Sequence, residues 1–159
     1  MGAYIYRAAF AEVIMTMAVE KLAAFGANAF IATANMTYHD KKGILQMLAD
    51  EYVSFPECLE LKRIIAEIDR SRNLRQFIAH CMWVDGNKPG HIKPYSAVVK
   101  GRLKLIGHQH NEKEYSAREI IDEAKRLGSA ARDLINFLRH VGMFGDEEES
   151  IAESYSSNP

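Results

Sequence analysis

Two cysteines, four prolines and one tryptophan in 159 residues leave this chain little to staple it and little to interrupt it. Cys58 and Cys81 lie 23 positions apart within one helical pattern. At ~1.5 Å rise per residue they are roughly 35 Å from each other, so no bridge forms between them. Unpaired thiols without a metal-ligand cysteine spacing suit a reducing compartment, and the expected location is cytoplasmic. Long apolar runs are missing too. The longest charge-free run, Leu22 to His39, is broken by Gly26, Asn28, Asn35 and Thr37, whereas a span needs about 20 mainly apolar residues. No membrane partner is expected, and the first residues lack the charged n-region of a signal peptide.

Charge of one sign is also lacking. There are 20 basic and 21 acidic residues, a net of −1, so the whole chain does not advertise a polyanionic partner. The distribution is uneven, however. Five acids (Asp146, Glu147, Glu148, Glu149 and Glu153) fall in 146–159, which holds no Lys or Arg, leaving 16 acids against 20 bases in the remainder. A folded domain over 1–145 with an acidic, disordered tail over 146–159 is the expected organisation. The tail is expected to dock a basic partner or to shield a site on the domain. At 48% hydrophobic and 26% charged, the composition is that of a globule with its own core.

The periodicity is helical almost throughout. Tyr6, Phe10, Val13, Met17, Leu22 and Phe25 recur at mostly three- and four-residue steps and predict a long first helix over 4–25. Residues 28–37 continue it or form a short second one. Thr37 and Asp40 have the spacing of a capping box for a helix over 39–52, with Ile44, Leu45, Leu48 and Val53 as its apolar stripe. Ser54 and Glu57 repeat that spacing before a helix reaching about Met82, whose buried face is Leu61, Ile64, Ile65 and Ile68. Asp85 to Gly90 is a turn cluster. Ser96–Val99 and Arg102–Ile106 flank Lys100-Gly101 as a small hairpin inserted at about 91–110. Ser116 and Glu119 cap a last helix with the stripe Ile120, Ala124, Leu127, Ala131, Leu134, Ile135 and Leu138, stopped by Gly142. The fold class is all-α: a bundle of four to five helices with a hairpin insertion between the fourth helix and the last.

Several chemistries are absent by motif. There is no phosphate loop, dinucleotide fingerprint, metalloprotease helix or nucleophile elbow, and no cofactor is expected. His108 and His110 on a strand would share a face, but no acid or thiol stands at a supporting spacing, so no metal is expected either. The unusual stretch is Ser71 to Trp83. Continuing the phase of Ile68 by ~100° per residue brings Arg72, Arg75 and Ala79 onto the buried face, where charges are rare. Asn73 and Gln76 lie beside them, and His80 follows. Arginine matches phosphate geometry and histidine moves protons near neutrality. On an ideal helix Arg75 and His80 are about 140° apart. They meet only if the helix ends or distorts at His80, or if two subunits build the site together.

Arg75-Gln76-Phe77-Ile78-Ala79-His80, continued by Cys81-Met82-Trp83, is an Arg-x4-His motif closing a long helix. It resembles the HEPN superfamily, whose members carry a similar Ala-His-Gly-x-Trp run at this place. The long first helix with Glu20 and the following helix with Lys41-Lys42-Gly43-Ile44-Leu45 resemble it in order. The resemblance implies a helical bundle that dimerises through facing motif helices. It implies metal-independent endoribonuclease activity of toxin or defence type in catalytic members, and binding alone in others. Arg75 would then hold the scissile phosphate and His80 would transfer a proton, with Gln76, Asn73 and Arg72 in support. RNA or a nucleotide, and a cognate antitoxin or other partner protein, are the implied partners. Gln76 stands where the family carries Asn, Asp or His, and Cys81 where it carries Gly.

Overall fold

In the computed structural model, described for residues 1–23, 29–54, 56–100, 104–108 and 113–144, there are five helices, four of them around one core, and a small antiparallel sheet is set between the last two. The order is α1 (Gly2–Leu22), α2 (Ala29–Ala34), α3 (Tyr38–Tyr52), α4 (Glu57–His80), β1 (Met82–Asp85), β2 (His91–Lys100), β3 (Lys104–His108), β4 (Tyr115–Ser116) and α5 (Ala117–His140). This is the all-α bundle with a β insertion that the sequence predicts. Among the described residues no helix is long and apolar enough to cross a membrane.

The helix starts differ in how well local sequence foretold them. Thr37 and Ser116 each accept the N–H of the residue three further on, and Asp40 and Glu119 reach back to the cap backbone, so both expected capping boxes form. The box expected at Ser54 does not. Pro56 is the N-cap there, and the carbonyl of Ser54, not its hydroxyl, takes the first amide, that of Cys58 at 2.8 Å. At the far end of α5, Gly142 adopts φ +70. Its N–H donates to Arg139 O at 3.0 Å and that of Met143 to Leu138 O at 2.8 Å, the paired bonds of a Schellman stop.

Two pairs of polar side-chain contacts mark the helix directions. Lys42–Asp69 and Lys62–Asp50 run α3 antiparallel to α4, while Arg63–Asp133 and His140–Glu57 run α5 antiparallel to α4. Leu45, Leu61, Ile65, Leu127, Leu134 and Leu138 are fully buried between them. The expected stripes of α4 and α5 are the buried ones. That of α1 is so only in part: Phe10 is buried and faces the core with Tyr4, Ala8, Ala11, Ile14, Met15, Ala18 and Val19, while Val13 is 40% exposed and Tyr6 and Met17 are half-buried. Phe25 lies outside the described residues. Alanines let neighbouring helices approach closely, so on a helix apolar all round the largest side chains did not mark the inward face.

The sheet also departs from expectation. α4 stops at His80 rather than running to Met82, because Met82–Asp85 pairs antiparallel with β2 (Met82 with Tyr95, Asp85 with Ile92). Trp83, in this strand, packs edge-on against Tyr115 of β4 with ring centroids 5.9 Å apart. The Asp85–Gly90 turn cluster joins β1 to β2, tied down by Glu114, which accepts the N–H groups of Asn87 (2.6 Å) and Lys88 (3.0 Å). The expected hairpin is present with strands at His91–Lys100 and Lys104–His108, Ser96 facing His108 and Lys100 facing Lys104. Its turn at Gly101 lies outside the described residues, as do His110 and the acidic tail.

Candidate functional site

Side chains on helices lean toward the N-terminus. Arg72 and Arg75 on α4 therefore reach back along their own helix, and both meet the carboxylate of Glu12 on α1. Arg72 approaches its Oε1 with Nε at 3.2 Å and Nη2 at 3.1 Å, and Arg75 approaches the same oxygen with Nε at 3.5 Å. The two arginines are 27% and 34% exposed, so their core phase was legible in the sequence. Ala79, expected on the same face, is exposed.

The partners of these arginines were not legible. Arg72 lies over the ring of Tyr38 on α3, its guanidinium carbon 3.8 Å from the ring centre. The Tyr38 hydroxyl is buried beside the Asp69 carboxylate, and burial, reinforced by that carboxylate, pushes its pKa well above the usual phenol range. Asp69 in turn pairs with Lys42 Nζ at 2.5 Å. Tyr4 is buried on α1, its hydroxyl donates to the carbonyl of Ser71, and desolvation likewise raises its pKa. A seam of Glu12, Tyr38, Lys42, Asp69, Arg72 and Arg75 thus ties three helices together. It holds three cations against two anions.

Arg75 is the less committed of the two arginines. It has its ion pair with Glu12, but among the described residues its guanidinium makes no hydrogen bond. Asn73 and Gln76 are exposed and so do not join the seam. His80 is the last residue of α4. Cys81 is extended at φ −110, ψ 146, and its N–H closes the helix on Phe77 O at 3.0 Å. The backbone is helical through His80 and leaves the helix only at Cys81, so within one chain Arg75 and His80 keep their separation of about 140°. The side chain of His80 lies outside what is described.

Elsewhere, Cys58 and Cys81 are half-buried free thiols. Thr33 donates to Glu20 Oε1 at 2.5 Å, linking α2 to α1. A cleft of about 500 Å³ lined by Pro56, Leu59, Arg63, Phe137 and His140 lies toward the opposite end of α4, roughly 18 to 28 Å along the helix from Arg75. It belongs to different residues from the seam. Among the described residues no three His, Cys, Asp or Glu side chains gather as a metal site. Comparison of the chain with protein-family models, curated proteins and solved structures returned no match.

Proposed function

We propose that this protein is a HEPN-like, cytoplasmic homodimer that cleaves RNA without a metal, using Arg75 and His80. The observation that carries the reading is a half-buried Arg75 whose guanidinium makes no hydrogen bond among the described residues, five residues before His80 at the end of α4. In the reaction, the ribose 2′-oxygen attacks the adjacent phosphorus and the bond to the leaving 5′-oxygen breaks, giving a cyclic phosphate. His80 transfers the proton that leaves the 2′-hydroxyl or the one the 5′-oxygen gains, and Arg75 offsets the charge that builds on the phosphoryl oxygens. Facing motif helices in the dimer bring the two residues of each chain toward those of the other. An activity of this kind fits a toxin or defence effector held by a cognate antitoxin.

The test is RNA cleavage in excess chelator, with Arg75→Ala and His80→Ala compared with the parent at equal folded fraction. Loss of cleavage by two to four orders of magnitude in each variant is expected. Unchanged cleavage in both removes the reading.

A second reading has one observation in its favour: Arg72 and Arg75 both direct charge to Glu12. On it, the motif consolidates the bundle and its dimer, and the protein binds RNA, a nucleotide or a partner protein without cutting. The parent then leaves RNA intact, while Arg75→Ala shifts the sedimentation equilibrium toward monomer.

A further inference from the structure

The charges of α5 are sorted by side. Arg118, Lys125, Arg132 and Arg139 recur at intervals of seven residues, which at ~100° per residue places all four within a sector of about 60°. Glu119, Asp122, Glu123 and Asp133 fall in the remaining sector, more than about 100° from the line of Gly128. Arg126 lies among these acids, paired with Glu123 at 3.4 Å. The basic line extends about 31 Å along the helix.

Its members are available to different degrees. Arg118 is 91% exposed, with Asp122 no closer than 4.0 Å. Lys125 and Arg132 are exposed, and among the described residues neither has a hydrogen bond or ion pair. Arg139 is half-buried and in contact with neighbouring groups.

A fifth cation joins the line from α1. Arg7 is half-buried against Gly128, where a Cβ would stand 2.4 Å from its Nη1, so its guanidinium crosses α5 only because position 128 has no side chain. Arg72 and Arg75 share Glu12, but Arg7 has neither hydrogen bond nor ion pair among the described residues. Holding a guanidinium partly out of water without a carboxylate costs free energy that a bound anion would recover. Lys125, Arg7 over Gly128, and Arg132 follow one another at steps of roughly 5 Å along the helix axis. Ile121, 52% exposed, lies in the same sector and offers apolar contact between the charges.

We propose that this ridge of α5, with Arg7 laid across it, binds the phosphodiester backbone of a nucleic-acid strand. Three separate cations, Lys125, Arg7 and Arg132, with no ion pair among the described residues and spread over about two helical turns, match a ligand with repeated single charges, rather than one phosphate or a single carboxylate. The assignment rests on the charge pattern and stands whether or not Arg75 and His80 cut RNA.

The experiment is titration of the full-length protein against a fluorescent 20-nucleotide single-stranded RNA and the matching DNA, at several salt concentrations. Neutralising one phosphate contact removes about 0.7 from the slope of log K against log salt. The double variant Lys125→Ala/Arg132→Ala should therefore flatten the slope by about 1.4 and weaken binding at least tenfold at low salt. Gly128→Ala keeps every charge but displaces Arg7, and should weaken binding severalfold while the protein stays folded. Arg126→Ala, on the acidic side, should leave binding unchanged. RNA binding with an unaltered slope in the double variant overturns the ridge. So does equal competition by polyglutamate of matched charge, which would make the ridge a surface for acidic protein segments. Cleavage is scored separately with Arg75→Ala, so failure of the ridge and failure of the catalytic reading give different results.

Discussion

Glu12 is the side chain on which the arginine seam turns. Its single negative charge offsets one of the two guanidinium charges that meet there, with two donors from Arg72 and one looser contact from Arg75. The unequal geometry predicts unequal costs. Arg72→Ala, losing two hydrogen bonds and the contact with Tyr38, should cost about 1–2 kcal/mol. Arg75→Ala should cost less than about 1 kcal/mol. Urea unfolding of both variants checks this, and equal losses would mean that Arg75 is as structural as Arg72. Removing the shared anion by Glu12→Gln should destabilise more than Arg75→Ala, since both cations then lose their partner. The core phase of these arginines could be read from the chain because Leu61 to Ile68 fixed it. Their destination could not, because Glu12 is 60 residues away from Arg72 and nothing local links them.

Among the elements, the helix ends carry a pH dependence. Asp40 accepts the hydroxyl and the N–H of Thr37, Glu119 the N–H and the hydroxyl of Ser116, and Glu114 the N–H groups of Asn87 and Lys88, and these bonds hold all three carboxyls below their usual range. A carboxyl whose folded pKa lies below its unfolded value contributes stability above the unfolded value, near 4, and loses it as pH falls through the folded one. Melting temperature should thus decline below about pH 4.5, and Glu119→Gln should show a shallower decline than the parent. An identical decline would mean that the α5 cap does not hold in solution. The same element carries a test of its stop. Gly142→Ala, forced to φ +70, should cost about 1 kcal/mol by thermal unfolding. Capping boxes at Thr37 and Ser116 and the stop at Gly142 were all legible, being fixed by residues within four positions. The box at Ser54 failed because Pro56 took the cap position. α4 ends two residues before its helical periodicity does, because pairing of Met82–Asp85 with β2 outweighs that periodicity.

For the whole molecule, four helices surround a core in which Leu127 and Leu134 of α5 are completely buried. Leu127→Ala should cost about 2–5 kcal/mol in urea unfolding. A loss below 1 kcal/mol would mean that α5 packs more loosely than its burial indicates. Oligomeric state belongs to this scale as well. On the proposed function the chain is a dimer at micromolar concentration by sedimentation equilibrium, and a clean monomer would count against a site shared between motif helices.

The sequence by itself determined the helical class, the β insertion, the caps of α3 and α5 and the inward face of α4. Each depends on spacing within a few residues, and 3.6- and 2-residue periods are written directly into the chain. Only the tertiary structure decided which face of α1 is buried, since that helix is apolar on every side and its orientation follows from the shapes packed against it. It alone brought Glu12 to Arg72 and Arg75, laid Arg7 into the notch at Gly128, and ended α4 at His80 through a strand formed with residues beyond the turn. These are long-range meetings, and no local pattern encodes which helix a side chain will find across the core.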